Sequence, residues 1–130
     1  MPTDNFQHSD ITSKIIKAYF NVYNKLGRGF LEKVYENAMM IELEKMGLIC
    51  QKQVSIEVFY ERKAVGQYFA DIVVNDCVIV EIKAGESLCE AHEAQLINYL
   101  RATEVEVGLL LNFGKEPEYR RKVFSNEFKK

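Results

Sequence analysis

Three charged side chains, Asp71, Glu81 and Lys83, stand in an otherwise apolar and β-branched stretch of the sequence. Burying a carboxylate among apolar neighbours costs several kcal/mol unless a cation or a hydrogen-bond partner compensates it. Two acids at the ends of core strands therefore need such a partner. A divalent metal ion is the simplest one, so the chemistry that this set favours is metal binding.

A β-hairpin is predicted around these residues. Two apolar runs, 72–74 and 78–82, flank the polar pair Asn75–Asp76, which is a turn signal. Successive residues on a strand alternate between the two faces of a sheet, so residues two apart share a face. Glu81 and Lys83 are therefore expected to point to the same side.

The length of the turn decides whether Asp71 joins them. With a strict two-residue turn, Asp71 would lie opposite Val80 and would point away from the face of Glu81. A three-residue connection that includes Cys77, or a β-bulge, would place Asp71 opposite Glu81 instead. We expect this less regular hairpin, because it brings both acids to one face.

Length and composition indicate an ordinary globular protein. The 130 residues, 1–130, are expected to form one domain, and 48% hydrophobic and 28% charged residues are typical of a packed core with a polar surface. No apolar run approaches the roughly 20 residues needed to span a bilayer, and the polar start is unlike a signal peptide, so we expect a cytoplasmic protein. The net charge of −2 argues against coating a polyanion by bulk charge, so any nucleic-acid surface must be a local patch.

The three cysteines, Cys50, Cys77 and Cys89, are widely spaced and follow no disulfide or zinc-ligand pattern. We expect them to be buried, reduced thiols.

Two helices are predicted before the first strand. Apolar residues from Ile11 to Leu26 follow helical spacing, with Ser9 or Asp10 placed to cap the helix and Gly27 to end it.

The second helix is marked by apolar residues from Leu31 to Leu43 and is closed by Gly47. Its polar anomaly is Glu32, in the first turn. An acid in this position favours the helix dipole by about 0.3 to 1 kcal/mol. A purely structural role for Glu32 therefore stays open beside a functional one.

An antiparallel meander is predicted next. Over Gln53–Tyr60 the residues alternate in a period of two, which indicates a strand with one buried face. The turn Glu61–Lys63 leads into a second run over Ala64–Phe69, and the central hairpin follows. A helix from about Cys89 to Thr103 follows. Its inward candidates are Ala91, Ala94, Leu96 or Ile97, Tyr99 and Leu100.

Gln95 and Tyr99 lie four residues apart and so share a face of that helix. A buried, mutually paired glutamine and tyrosine is the structural alternative to a functional pair. The wholly apolar run Val107–Leu111 suits the interior of a sheet, and after a helical crossover it should lie parallel to an earlier strand. The fold class is therefore α/β in the wider α+β sense, a mixed sheet with an antiparallel meander flanked by helices.

The segment 116–130 carries a local basic cluster whose structure is not predicted. Its cations are Arg120, Arg121, Lys122, Lys129 and Lys130. Solvated positive charge is the ordinary interpretation of such a run. Because the chain is acidic overall, however, the positive charge needed near a polyanion must be concentrated somewhere, and we expect Arg120 and Arg121 to contact phosphate.

Several motifs together resemble a known family. The stretch Gly29–Tyr35, GFLEKVY, resembles the GxxExxY signature of a prokaryotic protein family, and the D…ExK…QxxxY series that begins at Asp71 is similar to the PD-(D/E)XK nuclease superfamily. The likeness covers nearly the whole chain, and the motifs fall in the expected order. One departure is Ala70, where the superfamily pattern has a proline.

The resemblance implies a restriction-endonuclease-like core and a metal-dependent phosphodiesterase that acts on DNA or RNA. It implies that Asp71 and Glu81 ligate Mg²⁺ or Mn²⁺, with the Ile82 backbone carbonyl as a further ligand. Glu32 would approach the ion from the second helix, directly or through water. Lys83 would orient or help to deprotonate the attacking water and offset charge in the transition state.

The resemblance also implies positioning and substrate-binding residues. Gln95, which we count with the catalytic set, and Tyr99 would position the site or the substrate backbone. Tyr35 would contact substrate together with Arg120 and Arg121. A non-catalytic binding module that keeps the fold and a small-molecule hydrolase stay open as alternatives, but the complete set of chemically competent residues favours nuclease catalysis. A homodimer would enlarge the small surface available to nucleic acid.

Overall fold

The structure, a computed structural model, describes residues 7–129. Two helices precede three strands, and a third helix leads to two further strands and a 3-10 turn. The elements are α1 (Ser9–Leu26), α2 (Glu32–Lys45), β1 (Cys50–Tyr60), β2 (Lys63–Val74), β3 (Val78–Lys83), α3 (Glu90–Arg101), β4 (Val107–Phe113), β5 (Pro117–Val123) and the 3-10 turn Asn126–Phe128.

The five strands form one mixed sheet in the order β1-β2-β3-β4-β5. β3 and β4 are parallel, because α3 carries the chain back across the sheet between them, and all the other neighbours are antiparallel. This confirms the predicted mixed sheet, its antiparallel meander and the parallel placement of the run that follows α3.

The sheet separates two apolar layers. On one face, α1 and α2 pack through side chains such as Tyr19 and Met39 against sheet residues such as Val80 of β3. On the other face, α3 packs through Leu96 and Leu100. Every residue of β4 is buried, which explains why its sequence is continuously apolar instead of alternating.

The helix ends differ in part from prediction. The cap expected at Ser9 or Asp10 is wrong: α1 begins at Ser9, and the residue before it, His8, occupies the N-cap position with φ 56° and no side-chain cap bond. The predicted end of α1 is confirmed, since Gly27 has φ 67°, a left-handed conformation that glycine adopts without strain. The helix α2 ends at Lys45, two residues before Gly47.

Other details of the prediction are corrected. The runs predicted as separate, 64–69 and 72–74, belong to one continuous strand, β2. Leu96 and Leu100 are buried as expected, but Ala91 and Ala94 are exposed.

The three cysteines are free, as predicted. Cys50 and Cys77 are half-buried, whereas Cys89 is exposed at the N-cap of α3, so the expected burial is wrong for that thiol. Among residues 7–129, no helix has the length and apolar character needed to cross a membrane.

Candidate active site

The hairpin of β2 and β3 has the less regular form that the sequence predicted. Ile72 pairs with Val80, and Val74 pairs with Val78. The connection is therefore three residues long, 75–77, and Asp71 lies opposite Glu81 in this register. The predicted three-residue connection and the register that places Asp71 opposite Glu81 are confirmed.

Beyond the Ile72–Val80 pair, side chains replace the backbone ladder between the two strands. The backbone N–H of Asp71 donates to Glu81 Oε2 at 2.8 Å, and the backbone N–H of Ile82 donates to Asp71 Oδ2 at 2.8 Å. Each acid thus binds the opposite strand, and the two carboxylates meet where the hairpin opens. We call this opening the hairpin fork, defined by residues 71 and 81–82.

Burial and mutual repulsion disfavour charge on both acids. Glu81 is only 3% exposed, and burial, followed by the charge of Asp71, raises its pKa to about 8. Burial also raises the pKa of Asp71, and the charges of Glu36 and Glu32 add to this effect. The hydrogen bond from Ile82 and the charge of Lys83 act in the opposite direction. A cation bound at the fork would relieve this repulsion.

Lys83 and Gln95 meet on the side of the fork that faces α3. The Lys83 ammonium donates to Gln95 Oε1 at 3.1 Å, so the helix fixes the position of the catalytic candidate on β3. Tyr99, one turn further along α3, is 6% exposed, and its pKa is raised to about 12 by burial and, to a lesser extent, by the charges of Glu81 and Asp71. The Gln95 side chain thus bonds Lys83, and the alternative of a Gln95–Tyr99 pair is not what the structure shows.

Two residues near the fork, Glu36 and Gln53, were not predicted from the sequence. Glu36 is 5% exposed, and its Oε2 accepts a hydrogen bond from Gln53 Nε2 at 3.0 Å. The same amide nitrogen lies 3.5 Å from Asp71 Oδ1, so Gln53 bridges two carboxylates. Its φ of 53° is unusual for a residue other than glycine. The available signal was the four-residue spacing from Glu32, which places Glu36 on the same side of α2.

Glu32 is the first residue of α2 and is exposed. The negative charge of Glu32 contributes to the raised pKa of Asp71 and of Glu81, so the Glu32 carboxylate repels both acids of the fork. It makes no hydrogen bond to either acid among the described contacts. Its role as a metal ligand stays a prediction, and its position at the N-terminus of α2 also suits the helix-dipole explanation.

Tyr35 does not fit the predicted contact with substrate. Its side chain is fully buried and stacks on Phe113 with ring centroids 4.1 Å apart. Its hydroxyl donates to the Gly27 carbonyl at 2.7 Å and accepts from the Phe30 N–H at 3.2 Å. Tyr35 therefore holds the loop that leads into α2, and its surface is unavailable to a ligand.

Within the basic segment, Pro117–Val123 form β5, and the two arginines of this strand lie on opposite faces of the sheet. Lys130 lies outside the described residues. Arg120 forms ion pairs with Glu118 at 2.9 Å and with Glu93 of α3 at 3.5 Å. Arg121 instead donates to the backbone carbonyl of Gln7, before α1. The two guanidinium groups do not form one cluster, and each already has a protein partner.

The fork offers hard oxygen ligands to a metal ion. Within residues 7–129, no three Asp, Glu, His or Cys side chains are close enough together to hold an ion by themselves. The carboxylates of Asp71 and Glu81 nevertheless converge, and each has one oxygen outside the 2.8 Å bonds to the backbone. Mg²⁺ commonly keeps several waters and takes one or two protein carboxylates, so these residues fit such an ion.

A mixed sheet with an acid pair and a lysine at an opened hairpin defines the class as a nuclease-type fold. The family model of the PD-(D/E)XK nuclease superfamily matches residues 9–123, and the chain belongs to this superfamily. Its core is restriction-endonuclease-like, as predicted. Nucleases of this superfamily act on nucleic acid and generally use divalent metals.

The comparison with solved structures supports the fold. A protein whose structure is titled "Crystal structure of SSO0001" aligns over 72% of this chain with a TM-score of 0.58 and 18% identity. The aligned region is 50% of that protein, so this chain spans half of its length. No curated protein matches the chain.

Proposed function

We propose that this chain is a metal-dependent nuclease that hydrolyses phosphodiester bonds in DNA or RNA. The observation that carries the proposal is the hairpin fork, where Asp71 and Glu81 each bind the opposite strand and Lys83 follows two residues later. Such a concentration of buried acids destabilises the metal-free fold, and strongly perturbed acids of this kind are typical of functional sites. A binding module that had lost catalysis would not need the lysine.

The acids supply the ligands in this proposal. Asp71 and Glu81 would hold Mg²⁺ or Mn²⁺, with the Ile82 carbonyl and Glu32, directly or through water, as further ligands. The bound ion would act as a Lewis acid on the phosphate. Gln53 would keep the Asp71 carboxylate in position through the contact at 3.5 Å.

Lys83 is the proposed partner of the attacking water. Its ammonium is held by Gln95 at 3.1 Å, which leaves other N–H bonds to orient the water and to offset negative charge on the phosphate. Gln95 would act through Lys83, and Tyr99 would contact the substrate backbone as a neutral phenol, because burial raises its pKa to about 12.

The experiment that tests this function is a substrate screen with a matched control. Single- and double-stranded DNA and RNA are incubated with Mn²⁺ and either the wild type, Asp71→Asn, or Asp76→Asn. Asp76 is an exposed acid in the turn of the same hairpin. We expect the wild type and Asp76→Asn to cleave at least one substrate and Asp71→Asn to lose cleavage by about 100-fold or more.

Equal cleavage by Asp71→Asn would contradict the assigned site. Mn²⁺ binding together with an inactive wild type on all four substrates would contradict the nuclease and would favour the binding module.

Contacts of Arg120 and Arg121 with phosphate remain part of the proposal. Each lost phosphate contact should lower the slope of log affinity against log salt concentration by roughly 0.7 to 0.9. Because Arg120 must exchange Glu93 for phosphate, its contribution should lie at or below that range. Salt series for Arg120→Ala and Arg121→Ala measure this, and slopes equal to the wild type would assign both residues to the fold alone.

Four broader assignments also stay proposals: one domain over residues 1–130, membership of the GxxExxY family, a cytoplasmic location and a homodimer. Each follows from the sequence pattern or the resemblance described above.

A further inference from the structure

A groove of about 900 Å³ lies between the β1–β2 hairpin and α3. Its size is at the upper end of that of small-molecule sites. Aromatic side chains from both walls and from the C-terminal segment line much of it. They are Phe59, Tyr68, Tyr99, Phe124 and Phe128.

The groove begins beside the hairpin fork. Gln95, which lines it, accepts the hydrogen bond from Lys83. Tyr99, one turn further along α3 than Gln95, also lines the groove. A chain whose phosphate lay at the fork would therefore continue directly into the groove.

Several of the lining rings are open to solvent. Phe59 is 61% exposed, Tyr68 is 49% exposed and Phe128 is 69% exposed. Tyr68 also packs against Tyr99, with ring centroids 5.8 Å apart. The exposed ring of Tyr68 is therefore continuous with the buried ring of Tyr99. Exposed aromatic faces suit unpaired bases, because bases in a duplex are already stacked on one another.

The charge in the groove suits a polyanion. Arg101 lies over the Phe124 ring, 5.6 Å from its centroid, which fixes a cation in the wall. Lys129 is the second cation, and Glu57 is the one acid among the lining residues. The lining thus carries an excess of positive charge in a chain whose net charge is −2. From Gln95 to Arg101, α3 extends about 9 Å, so the cation lies a short distance along the groove from the fork.

We propose that this groove binds an unpaired nucleic-acid strand next to the site of cleavage. Its bases stack on Tyr68 and Phe59, and its backbone passes Arg101. The inference deepens the proposed nuclease function and rests on it for the direction of the strand, and it selects single-stranded or locally unpaired nucleic acid as the substrate class.

The test measures binding without cleavage. Fluorescence anisotropy in chelator compares a labelled single-stranded oligonucleotide with a duplex of the same length, for the wild type, Tyr68→Ala and Phe59→Ala. Phe69→Ala is the matched control, because Phe69 adjoins Tyr68 on β2, is 48% exposed, and does not line the groove. Unfolding curves of all variants establish that each is folded.

We expect the wild type to prefer the single strand. Loss of one stacking ring should weaken single-strand affinity by about 5- to 100-fold in Tyr68→Ala and in Phe59→Ala, and Phe69→Ala should match the wild type. Arg101→Gln should lower the salt slope for the single strand by about 0.7, whereas Lys14→Gln, on the exposed surface of α1, should leave it unchanged.

Three results would overturn the proposal. The first is that the wild type binds the duplex more tightly than the single strand, and the second is that the groove variants and Phe69→Ala bind the single strand with equal affinity. The third is that the protein associates with itself, that Tyr68→Ala abolishes this association, and that single strands do not compete with it. The last result would assign the groove to a second copy of the chain. Cleavage with duplex preference would refute the groove and leave the nuclease function standing. Single-strand binding without cleavage in Mn²⁺ would refute the nuclease function and leave the groove standing.

Discussion

Replacing Glu81 by glutamine is expected to stabilise the metal-free protein at alkaline pH. The Glu81 carboxyl is 3% exposed, beside Asp71, and has a pKa of about 8 in the folded protein against 4.5 in the unfolded chain. Between these values the folded state binds more protons than the unfolded state. The free energy of unfolding of the wild type should therefore fall as the pH rises from about 4.5 through 8.

The size of this effect follows from the pKa difference. At 1.36 kcal/mol per pKa unit, the separation between 4.5 and about 8 sets an upper limit of roughly 5 kcal/mol. Glutamine removes the charge and keeps the shape, and its amide oxygen can still accept the hydrogen bond from the Asp71 N–H. Because local rearrangement and water reduce the penalty of burying charge, we expect Glu81→Gln to gain about 1 to 3 kcal/mol at about pH 9.

Urea unfolding in chelator, at about pH 5 and about pH 9, measures this prediction. Wild type and Glu81→Gln should be similar at the lower pH, where Glu81 is largely protonated, and should separate at the higher one. Glu86→Gln, in the exposed loop after β3, is the control and should follow the wild type at both. A Glu81→Gln protein that is less stable than the wild type at about pH 9 would show that the acid supports the fold, and would refute the reasoning.

Three further predictions concern the fork and the core. Mn²⁺ at 100 times its dissociation constant should stabilise the wild type by about 2.7 kcal/mol in a thermal or urea melt and should not stabilise Asp71→Asn; equal stabilisation would place the ion elsewhere. A double-mutant cycle of Gln53→Ala and Glu36→Ala should give a coupling of about 0.5 to 3 kcal/mol in urea unfolding, and a coupling near zero would remove the amide bridge. Gly108→Ala should destabilise the fold by about 1 to 3 kcal/mol, because the added Cβ would lie 2.6 Å from the Leu96 Cδ1 atom. Gly85→Ala should be nearly neutral, because its Cβ would lie in ordinary contact, 4.0 Å from the Ser87 carbonyl oxygen, and equal melts of the two variants would contradict this packing.

The sequence predicted the arrangement of strands well because local chemistry determines it. Alternation defined β1, the continuous apolar run defined β4, and the turn pair Asn75–Asp76 located the hairpin. The same parity that governs sheet faces predicted the register opposite Glu81. These features depend on side-chain period and turn residues, which are legible in one sequence.

The site was less predictable because tertiary contacts complete it. Glu36 was missed because the resemblance to the GxxExxY motif drew attention to its neighbour, Tyr35. Only the fold shows that Glu36 is buried and bonded to Gln53, whereas Tyr35 supports the loop before α2. The arginines of β5 were treated as one cluster, because no strand or helix was predicted for this segment. Without an element, the sequence does not indicate to which side of the protein each side chain points. Once the tail forms a strand, Arg120 and Arg121 must point to opposite sides.

The most direct test of the account pairs Mn²⁺ binding with cleavage in three proteins: wild type, Asp71→Asn and Lys83→Met. Binding is measured by calorimetric titration, and cleavage is measured by single-turnover kinetics on the substrate selected by the screen. If the two acids hold the ion and Lys83 serves the attacking water, Asp71→Asn loses both binding and cleavage, whereas Lys83→Met keeps binding and loses cleavage by about 100-fold or more. Cleavage by Lys83→Met at the wild-type rate, or undiminished Mn²⁺ binding by Asp71→Asn, would contradict a nuclease centred on the hairpin fork.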